Sequence, residues 1–257
     1  MNKAILIEIA DGVMTITMNR PEVRNALNAE SHFALHGAFE QFQADPMARV
    51  AILTGAGSQA FCAGSDMRDR AASGGDKFPS SGFGGLCQRF DLFKPVLALV
   101  NGDCVGGGLE MVLAADLAVS VPDARFGLPE PRVGLAASGG LHRLARHIGL
   151  KRAMEIALTA RLFKAVEMVE YGVINHVADD IDEARHVVMN WARDIVKGAP
   201  MAISATKQMT LMGLDHARLS DAFDTDYPAF RAMLGSEDAQ EGTNAFLEKR
   251  DPKWQGR

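Results

Sequence analysis

Three consecutive glycines and a nearby glutamate are the residues of this sequence that most directly suggest chemistry. Gly106, Gly107 and Gly108 come straight after an apolar run, and Glu110 lies two positions further on. A glycine inside a helix or strand costs about 0.5–1 kcal/mol relative to alanine, so three in a row require a reason. One reason is a main chain that a substrate approaches closely, because N–H groups freed at a turn bind oxygen atoms. Tight helix–sheet packing is the other reason, and spacing alone favours neither.

A second turn with little side-chain bulk occurs earlier in the chain. Ala63, Gly64 and Ser65 follow one apolar run, just as the three glycines follow another. Two N–H groups that converge on one oxygen form an oxyanion hole, and removal of one donor costs about 3–4 kcal/mol of transition-state stabilisation. The two turns together therefore suggest a site for a substrate carbonyl.

Two glutamates favour the functional interpretation. Glu110 lies in an apolar stretch that predicts a buried helix, and Glu130 stands between two prolines. A carboxylate in apolar surroundings is normally either paired or functional. The structural alternatives are a favourable charge at a helix N-terminus for Glu110 and an ion pair with Arg132 or Arg143 for Glu130.

Other motifs carry less weight. Residues 55–60 match G-x-G-x-x-A after a strand, but a further turn follows instead of the helix that a dinucleotide site needs. The sequence contains neither a P-loop nor a G-x-S-x-G nucleophile motif. His32 and His36 have helical i, i+4 spacing, for which an ordinary helix surface is a better interpretation than a metal site.

The surrounding pattern predicts a mixed α/β fold. A hairpin turn at Asp11–Gly12 joins two strands, a helix with Asn28 as its N-cap follows, and short apolar runs indicate buried strands. The predicted strands are Ala4–Ile9, Val13–Met18, Val50–Thr54 and Val96–Val100, and the first helix is Leu27–Ala44.

Two longer segments complete the prediction. Ser73–Gly85 is rich in Gly, Ser and Pro, which predicts a mobile surface loop. This loop either borders a site or only connects two elements. After Gly139 we expect an almost wholly helical chain, divided near residue 197 into a core of residues 1–197 and a helical tail of residues 198–257. The predicted later helices are Ile181–Val196, Met201–Leu211, Leu214–Leu234 and Ser236–Lys249.

Composition narrows the class of protein. The 257 residues are 47% apolar and 23% charged, as in an ordinary globular domain, and the net charge of −5 argues against a nucleic-acid partner. We find no signal-peptide pattern and no apolar run near the roughly 18 residues of a membrane span. Three widely spaced cysteines fit reduced thiols, so we expect a cytoplasmic protein without a disulfide or zinc site.

Taken in order, these motifs resemble the enoyl-CoA hydratase/isomerase (crotonase) superfamily over nearly the whole chain. The segments that carry the resemblance are residues 19–28, 60–66, 101–116, 126–130 and 241–250. The resemblance implies a spiral core of ββα units and a C-terminal helical trimerisation region, in a homotrimer or a dimer of trimers.

The resemblance also implies roles for individual residues. The backbone N–H groups of Ser65 and Gly107 would form the oxyanion hole, and Glu110 and Glu130 would be the catalytic glutamates. Arg24 and Lys249 would contact the phosphates of an acyl-CoA substrate, and Phe246 its adenine. The further substrate-binding positions are Ala26, Ala63, Gly64 and Asp66.

The presence of both glutamates favours hydration of a 2-enoyl-CoA, because isomerase-type relatives keep a carboxylate at only one of these places. The alternatives are an isomerase, a dehydratase, a hydratase/lyase for aromatic acyl groups, a serine peptidase with Ser65 as nucleophile, and a non-catalytic acyl-CoA binder. We expect no metal and no cofactor beyond the CoA of the substrate. The segment after Glu130 is one residue shorter than is common in the family, which affects the predicted acyl pocket.

Overall fold

The computed structural model describes residues 3–257. The strands are β1 (Ile5–Ala10), β2 (Val13–Met18), β3 (Val50–Gly55), β4 (Ala60–Cys62), β5 (Val96–Val100), β6 (Asp103–Val105), β7 (Leu117–Ser120), β8 (Arg125–Gly127), β9 (Phe163–Lys164) and β10 (His176–Val177). The helices are α1 (Ala29–Ala44), α2 (Met67–Ser73), α3 (Gly107–Ala114), α4 (Leu141–Ile148), α5 (Leu150–Thr159), α6 (Ala165–Tyr171), α7 (Ile181–Lys197), α8 (Pro200–Gly213), α9 (Leu219–Asp224), α10 (Pro228–Leu234) and α11 (Glu237–Glu248).

The strands form two sheets that the chain builds alternately. The larger sheet has the order β1-β2-β3-β5-β7-β10 and is parallel except for the β1–β2 hairpin. The smaller sheet has the order β4-β6-β8-β9, with β9 antiparallel. Strands β3, β5 and β7 enter the first sheet, and the strand that follows each of them enters the second. This repeat is the predicted spiral of ββα units.

Burial on both faces explains the continuous apolar runs of the central strands. In β3, Val50 and Ile52 point towards α7, where they pack with Val188. Ala51 and Leu53 point the other way, into the main core between the sheets and α1. Alternate side chains of one strand thus enter two different hydrophobic clusters, which is why the run shows no polar alternation.

The N-terminal predictions are confirmed with small shifts of boundary. Asn28 caps α1, since its side chain accepts a hydrogen bond from the Ser31 N–H at 3.0 Å. Residues 55–60 do not open a helix, because β3 ends at Gly55 and β4 begins at Ala60. None of the helices between residues 3 and 257 has the length and apolar character that a membrane-spanning helix needs.

The predicted loop Ser73–Gly85 is wrong in its second half. Residues 81–85 are buried, and Phe83–Gly85 forms a short 3-10 helix against α1 and α3. Glycines make this burial possible: a Cβ on Gly85 would lie 2.5 Å from the His36 backbone nitrogen. The composition suggested a surface loop because glycine is common both in mobile segments and where two backbones pack closely.

For the second half of the chain, the prediction of an almost wholly helical structure after Gly139 is confirmed by α4 to α11. Two short strands were not predicted: β9, which pairs with β8, and β10, which pairs with β7. Two-residue strands are too short to show a periodic pattern. The predicted helix Leu214–Leu234 is in fact α9 and α10, because Thr225 is extended and Pro228 begins a new helix.

The C-terminal helices are fastened to the core at defined points. Lys207 of α8 donates from Nζ to Asp116 Oδ2 at 2.7 Å and to the Lys94 carbonyl at 3.0 Å. The Asp116 carboxylate also accepts the Val96 N–H at 2.7 Å, at the start of β5. The division into residues 1–197 and 198–257 stays a prediction, but these bonds couple the two parts.

Lys207→Met is expected to lower the free energy of unfolding by about 1–3 kcal/mol, because the Asp116 carboxylate and a carbonyl lose a charged donor. Urea unfolding at fixed protein concentration measures the change. Lys197→Met is the control, since its exposed ammonium pairs, among residues 3–257, only with Asp194 on the same helix and a loss below about 0.5 kcal/mol is expected. Equal losses in the two variants would contradict this role for Lys207.

Candidate active site

The two glycine-containing turns lie against each other. A Cβ placed on Gly64 would lie 3.2 Å from the Val105 carbonyl oxygen and 3.4 Å from the Gly107 nitrogen. The parallel pairing of β4 with β6 brings the turns together, because each follows one of these two strands. The glycines are therefore required for close backbone approach, and the approach is between the turns that carry the predicted oxyanion donors.

The N–H groups of Ser65 and Gly107 are available to a ligand. Gly107 is the first residue of α3, where a helix leaves its N–H groups without intrahelical partners. Among residues 3–257, neither of these two N–H groups donates a hydrogen bond. The chain beside Ser65 is nevertheless fixed, because the Leu27 N–H donates to the Gly64 carbonyl at 2.8 Å and the Asp66 N–H donates to the Leu27 carbonyl at 2.9 Å.

The predicted substrate-binding residues near the turn Ala63–Ser65 lie on two adjacent segments of the chain. The Ala63 N–H donates to the Arg24 carbonyl at 3.1 Å, so residues 24–27 run beside residues 63–66. Arg24 has an exposed side chain and a left-handed backbone, whereas Ala26 is buried. The Asp66 carboxylate caps α2 and pairs with Arg20 at 3.0 Å, which lowers its pKa despite the opposing effect of burial. Its observed contacts hold the turn in place.

Glu110 is the fourth residue of α3 and is only 5% exposed. Its Oε1 accepts a hydrogen bond from the Gly139 N–H at 2.8 Å. A Cβ on Gly139 would lie 2.8 Å from Oε2, and one on Gly140 would lie 2.9 Å from Cγ. This glycine pair, which sequence reasoning did not link to Glu110, leaves room for the carboxyl group and donates to it.

Glu130 approaches the same place from the short 3-10 helix Glu130–Val133. A Cβ on Gly106 would lie 2.8 Å from its Oε1, so the carboxyl group lies beside the turn that carries Gly107. Its Oε2 is buried and has no hydrogen-bond partner among residues 3–257. No ion pair joins it to Arg132 or Arg143 within those residues, so the structural alternative for this glutamate does not apply.

The carboxyl group of Glu130 affects the ionisation of Glu110. Burial raises the pKa of Glu110 to about 7; the Gly139 N–H opposes that rise, and the charge of Glu130 adds to it. Burial also raises the pKa of Glu130. Two neighbouring carboxyl groups resist ionising together, so near neutral pH the pair holds a proton that one member is able to donate.

An aromatic wall that the sequence did not reveal covers one side of the site. Phe83 is buried, and its ring fills the space in which a Gly107 side chain would lie. His32 packs edge-on against Phe83 with ring centroids 4.6 Å apart, and its Nδ1 accepts the Gly84 N–H at 3.1 Å. His36 instead contacts the Ser81 hydroxyl through Nδ1 at 2.8 Å. The two histidines therefore hold the segment 81–84 rather than facing outwards from an ordinary helix surface.

The predicted C-terminal contacts lie on a separate helix. Phe246 is 83% exposed on α11, and Lys249, at the C-cap of that helix, is exposed as well. Arg250 pairs with Glu241 and Glu248 of the same segment, at 2.6 Å in both cases. The exposure of Phe246 and Lys249 leaves both side chains free to contact a ligand.

Comparison with known proteins agrees with this geometry. The sequence profile of the enoyl-CoA hydratase/isomerase family matches residues 8–257. A mevalonyl-coenzyme A hydratase of Beauveria bassiana is 40% identical over 256 residues, covering 94% of this chain and 91% of that protein. A carnitinyl-CoA dehydratase of Salmonella arizonae is 38% identical over the full length of both.

Solved structures show the same fold. The crystal structure of an enoyl-CoA hydratase from Mycobacterium marinum superimposes with a TM-score of 0.91 at 36% identity over the whole of both chains. A probable enoyl-CoA hydratase/isomerase from Mycobacterium abscessus gives a TM-score of 0.92 at 38% identity, again with full coverage. The spiral architecture, the paired turns and these matches together establish that the chain belongs to the enoyl-CoA hydratase/isomerase (crotonase) family.

Proposed function

We propose that the protein adds water to the double bond of a 2-enoyl-CoA thioester, giving a 3-hydroxyacyl-CoA. The observation that carries the proposal is the juxtaposition of two backbone N–H groups, unpaired among residues 3–257, with the buried carboxyl group of Glu110 and the partly buried one of Glu130, both of raised pKa. The first pair suits an oxygen that gains negative charge, and the second suits the transfer of two protons.

The thioester oxygen lies between the N–H groups of Ser65 and Gly107. When water attacks C3, the new C–O bond forms, and the π electrons of the C2–C3 double bond shift to give an enolate. Its charge develops on the thioester oxygen. Fixed donors stabilise this charge more than they stabilise the neutral carbonyl, which lowers the barrier.

Glu110 takes the proton from the attacking water, and Glu130 delivers a proton to C2. The Gly139 N–H supports this assignment because a hydrogen bond donated to a carboxylate favours its ionised form. Burial of Glu130, whose Oε2 has no donor among residues 3–257, favours its protonated form and outweighs the opposing hydrogen bond from its own backbone N–H. After one turnover Glu110 is protonated and Glu130 ionised, so a proton must pass back before the next.

The same residues catalyse the reverse reaction, loss of water from a 3-hydroxyacyl-CoA. The 38% identical relative named carnitinyl-CoA dehydratase makes this direction a second candidate. By microscopic reversibility, Glu130 would then remove the C2 proton and Glu110 would protonate the leaving hydroxyl.

The test is loss of the enoyl-thioester ultraviolet absorbance with crotonyl-CoA and longer 2-enoyl-CoAs, combined with mass spectrometry of the product. We expect a product heavier by one water. A product of unchanged mass with a shifted double bond would indicate an isomerase. Tight binding of every thioester without turnover would identify a non-catalytic binder and overturn the proposal.

Ser65→Ala is expected to keep a kcat/KM close to that of the wild type, because the proposed donor is the backbone N–H. The Ser65 hydroxyl makes no hydrogen bond to a histidine or aspartate within residues 3–257. Steady-state hydration kinetics and labelling with a serine-directed phosphonate check this. A loss of activity in this variant together with phosphonate labelling of the wild type would instead support the peptidase alternative.

A further inference from the structure

A buried histidine donor beside the acyl site has no partner. Three buried polar side-chain atoms within residues 3–257 lack a hydrogen bond: Glu130 Oε2, Arg89 Nη1 and His32 Nε2. The first belongs to the catalytic pair, and the second lies 2.8 Å from Glu40 Oε1 in an ion pair. His32, only 1% exposed, is the one that the proposed mechanism does not use; the charge of Asp69 opposes the lowering of its pKa by burial, but no acceptor among residues 3–257 lies within hydrogen-bonding distance of Nε2.

The hydrogen bond at the other ring nitrogen fixes the chemistry of this group. Because Nδ1 accepts the Gly84 N–H at 3.1 Å, a neutral His32 must carry its proton on Nε2. Burial lowers the pKa of His32 to about 4, so the ring is neutral near pH 7. Nε2 is then an N–H donor, and a buried donor without an acceptor destabilises the folded state.

The position of His32 connects it with the substrate. Its ring packs against Phe83, whose own ring covers Gly107. It also contacts Phe78, with centroids 4.9 Å apart; Phe78 is 43% exposed, and its ring lies 5.8 Å from that of Phe83. The ring of Phe83 therefore separates His32 from the proposed thioester oxygen, and the ring of Phe78 separates it from solvent.

We propose that His32 is a specificity-determining residue whose Nε2–H donates to an oxygen on the acyl group, beyond the reacting carbons. This inference rests on the proposed function for the identity of the ligand as an acyl-CoA. A neutral imidazole among phenylalanines suits an uncharged oxygen, such as a hydroxyl, ether or carbonyl, better than a carboxylate. The preferred substrate is accordingly an oxygenated acyl-CoA rather than a plain hydrocarbon one.

The test compares saturated thioesters, which bind without reacting. Isothermal titration with hexanoyl-CoA and with its 4-, 5- and 6-hydroxy derivatives measures the ratio of Kd values. We expect the wild type to bind at least one hydroxylated thioester about tenfold more tightly. His32→Leu and His32→Asn should both abolish that preference. His32→Asn retains an acceptor for the Gly84 N–H, so it guards against loss of folding.

His36→Asn is the matched control, because His36 lies one turn further along α1 and holds the same segment through Ser81. It should keep the preference. Equal affinities of the wild type for all four thioesters, or an unchanged preference in both His32 variants, would overturn the inference and leave Nε2–H directed at a phenylalanine ring face. Enoyl-CoA hydration is measured separately, so its failure with the preference intact would overturn only the proposed reaction.

Discussion

Glu110→Gln and Glu130→Gln are each expected to lower kcat for 2-enoyl-CoA hydration by about 10²–10⁴, the range for loss of a positioned general acid or base. Glutamine has nearly the same shape, but at neutral pH it neither accepts nor delivers a proton. The ultraviolet assay with purified variants measures the effect. Because both glutamates act in one reaction, we expect the double variant to lose far less than the product of the two factors.

Glu170→Gln provides the control, since this side chain is exposed on α6. It should leave both kcat and KM unchanged. Binding of a saturated acyl-CoA should survive in all the variants, which separates loss of chemistry from loss of the site. If either active-site variant kept more than a tenth of the wild-type kcat, that glutamate would not be an essential proton carrier.

Glu110→Gln is also expected to make the protein more stable above neutral pH. Folding raises the pKa of Glu110 from 4.5 to about 7, so the native state binds this proton more tightly than the unfolded chain does. Native stability therefore falls as pH rises from 4.5 to 7, by a total of about 3 kcal/mol. Glutamine is neutral throughout, and its Oε1 is able to accept the Gly139 N–H.

Urea unfolding at pH 8 and at pH 4.5, with the protein concentration held constant, measures this difference. At pH 8 the variant should be more stable than the wild type by about 3 kcal/mol, and at pH 4.5 the two should nearly coincide. An identical gain in stability at both pH values would indicate that better packing, and not the ionisation of Glu110, causes the difference. A gain at pH 8 alone would mean that the buried carboxyl group of Glu110 lowers the stability of the wild-type protein.

The residues proposed to do the chemistry are easier to recognise in the sequence than their surroundings. A glycine run or a glutamate in an apolar stretch departs visibly from ordinary composition, so Gly107, Glu110 and Glu130 stood out. Gly139 did not, because its contribution is a backbone N–H that reaches a glutamate 29 positions away. The roles of Phe83 and His32 were missed for a related reason: an aromatic wall forms only when α1 and the segment 81–85 come together in the fold.

The predicted limits of helices, strands and loops were wrong where the local sequence signals were weak or ambiguous. The two-residue strands β9 and β10 owe their existence to partners that were already in place, and no local period marks them. Pro228 was a usable signal for the start of α10 that the helical pattern of residues 214–234 obscured. The second half of the predicted loop is buried because its glycines fit against α1, which composition does not distinguish from exposure.

The pairing of β4 with β6 separates the residues that fix the proposed donors from those that surround the acyl group. Ser65 and Gly107 follow neighbouring parallel strands, and such strands lie about 4.8 Å apart. That spacing lets two N–H groups meet on one oxygen, and main-chain hydrogen bonds rather than side chains set it. We therefore expect substitutions around the proposed acyl site, such as those at His32 or Phe83, to change which thioester binds without altering the distance between the two proposed donors.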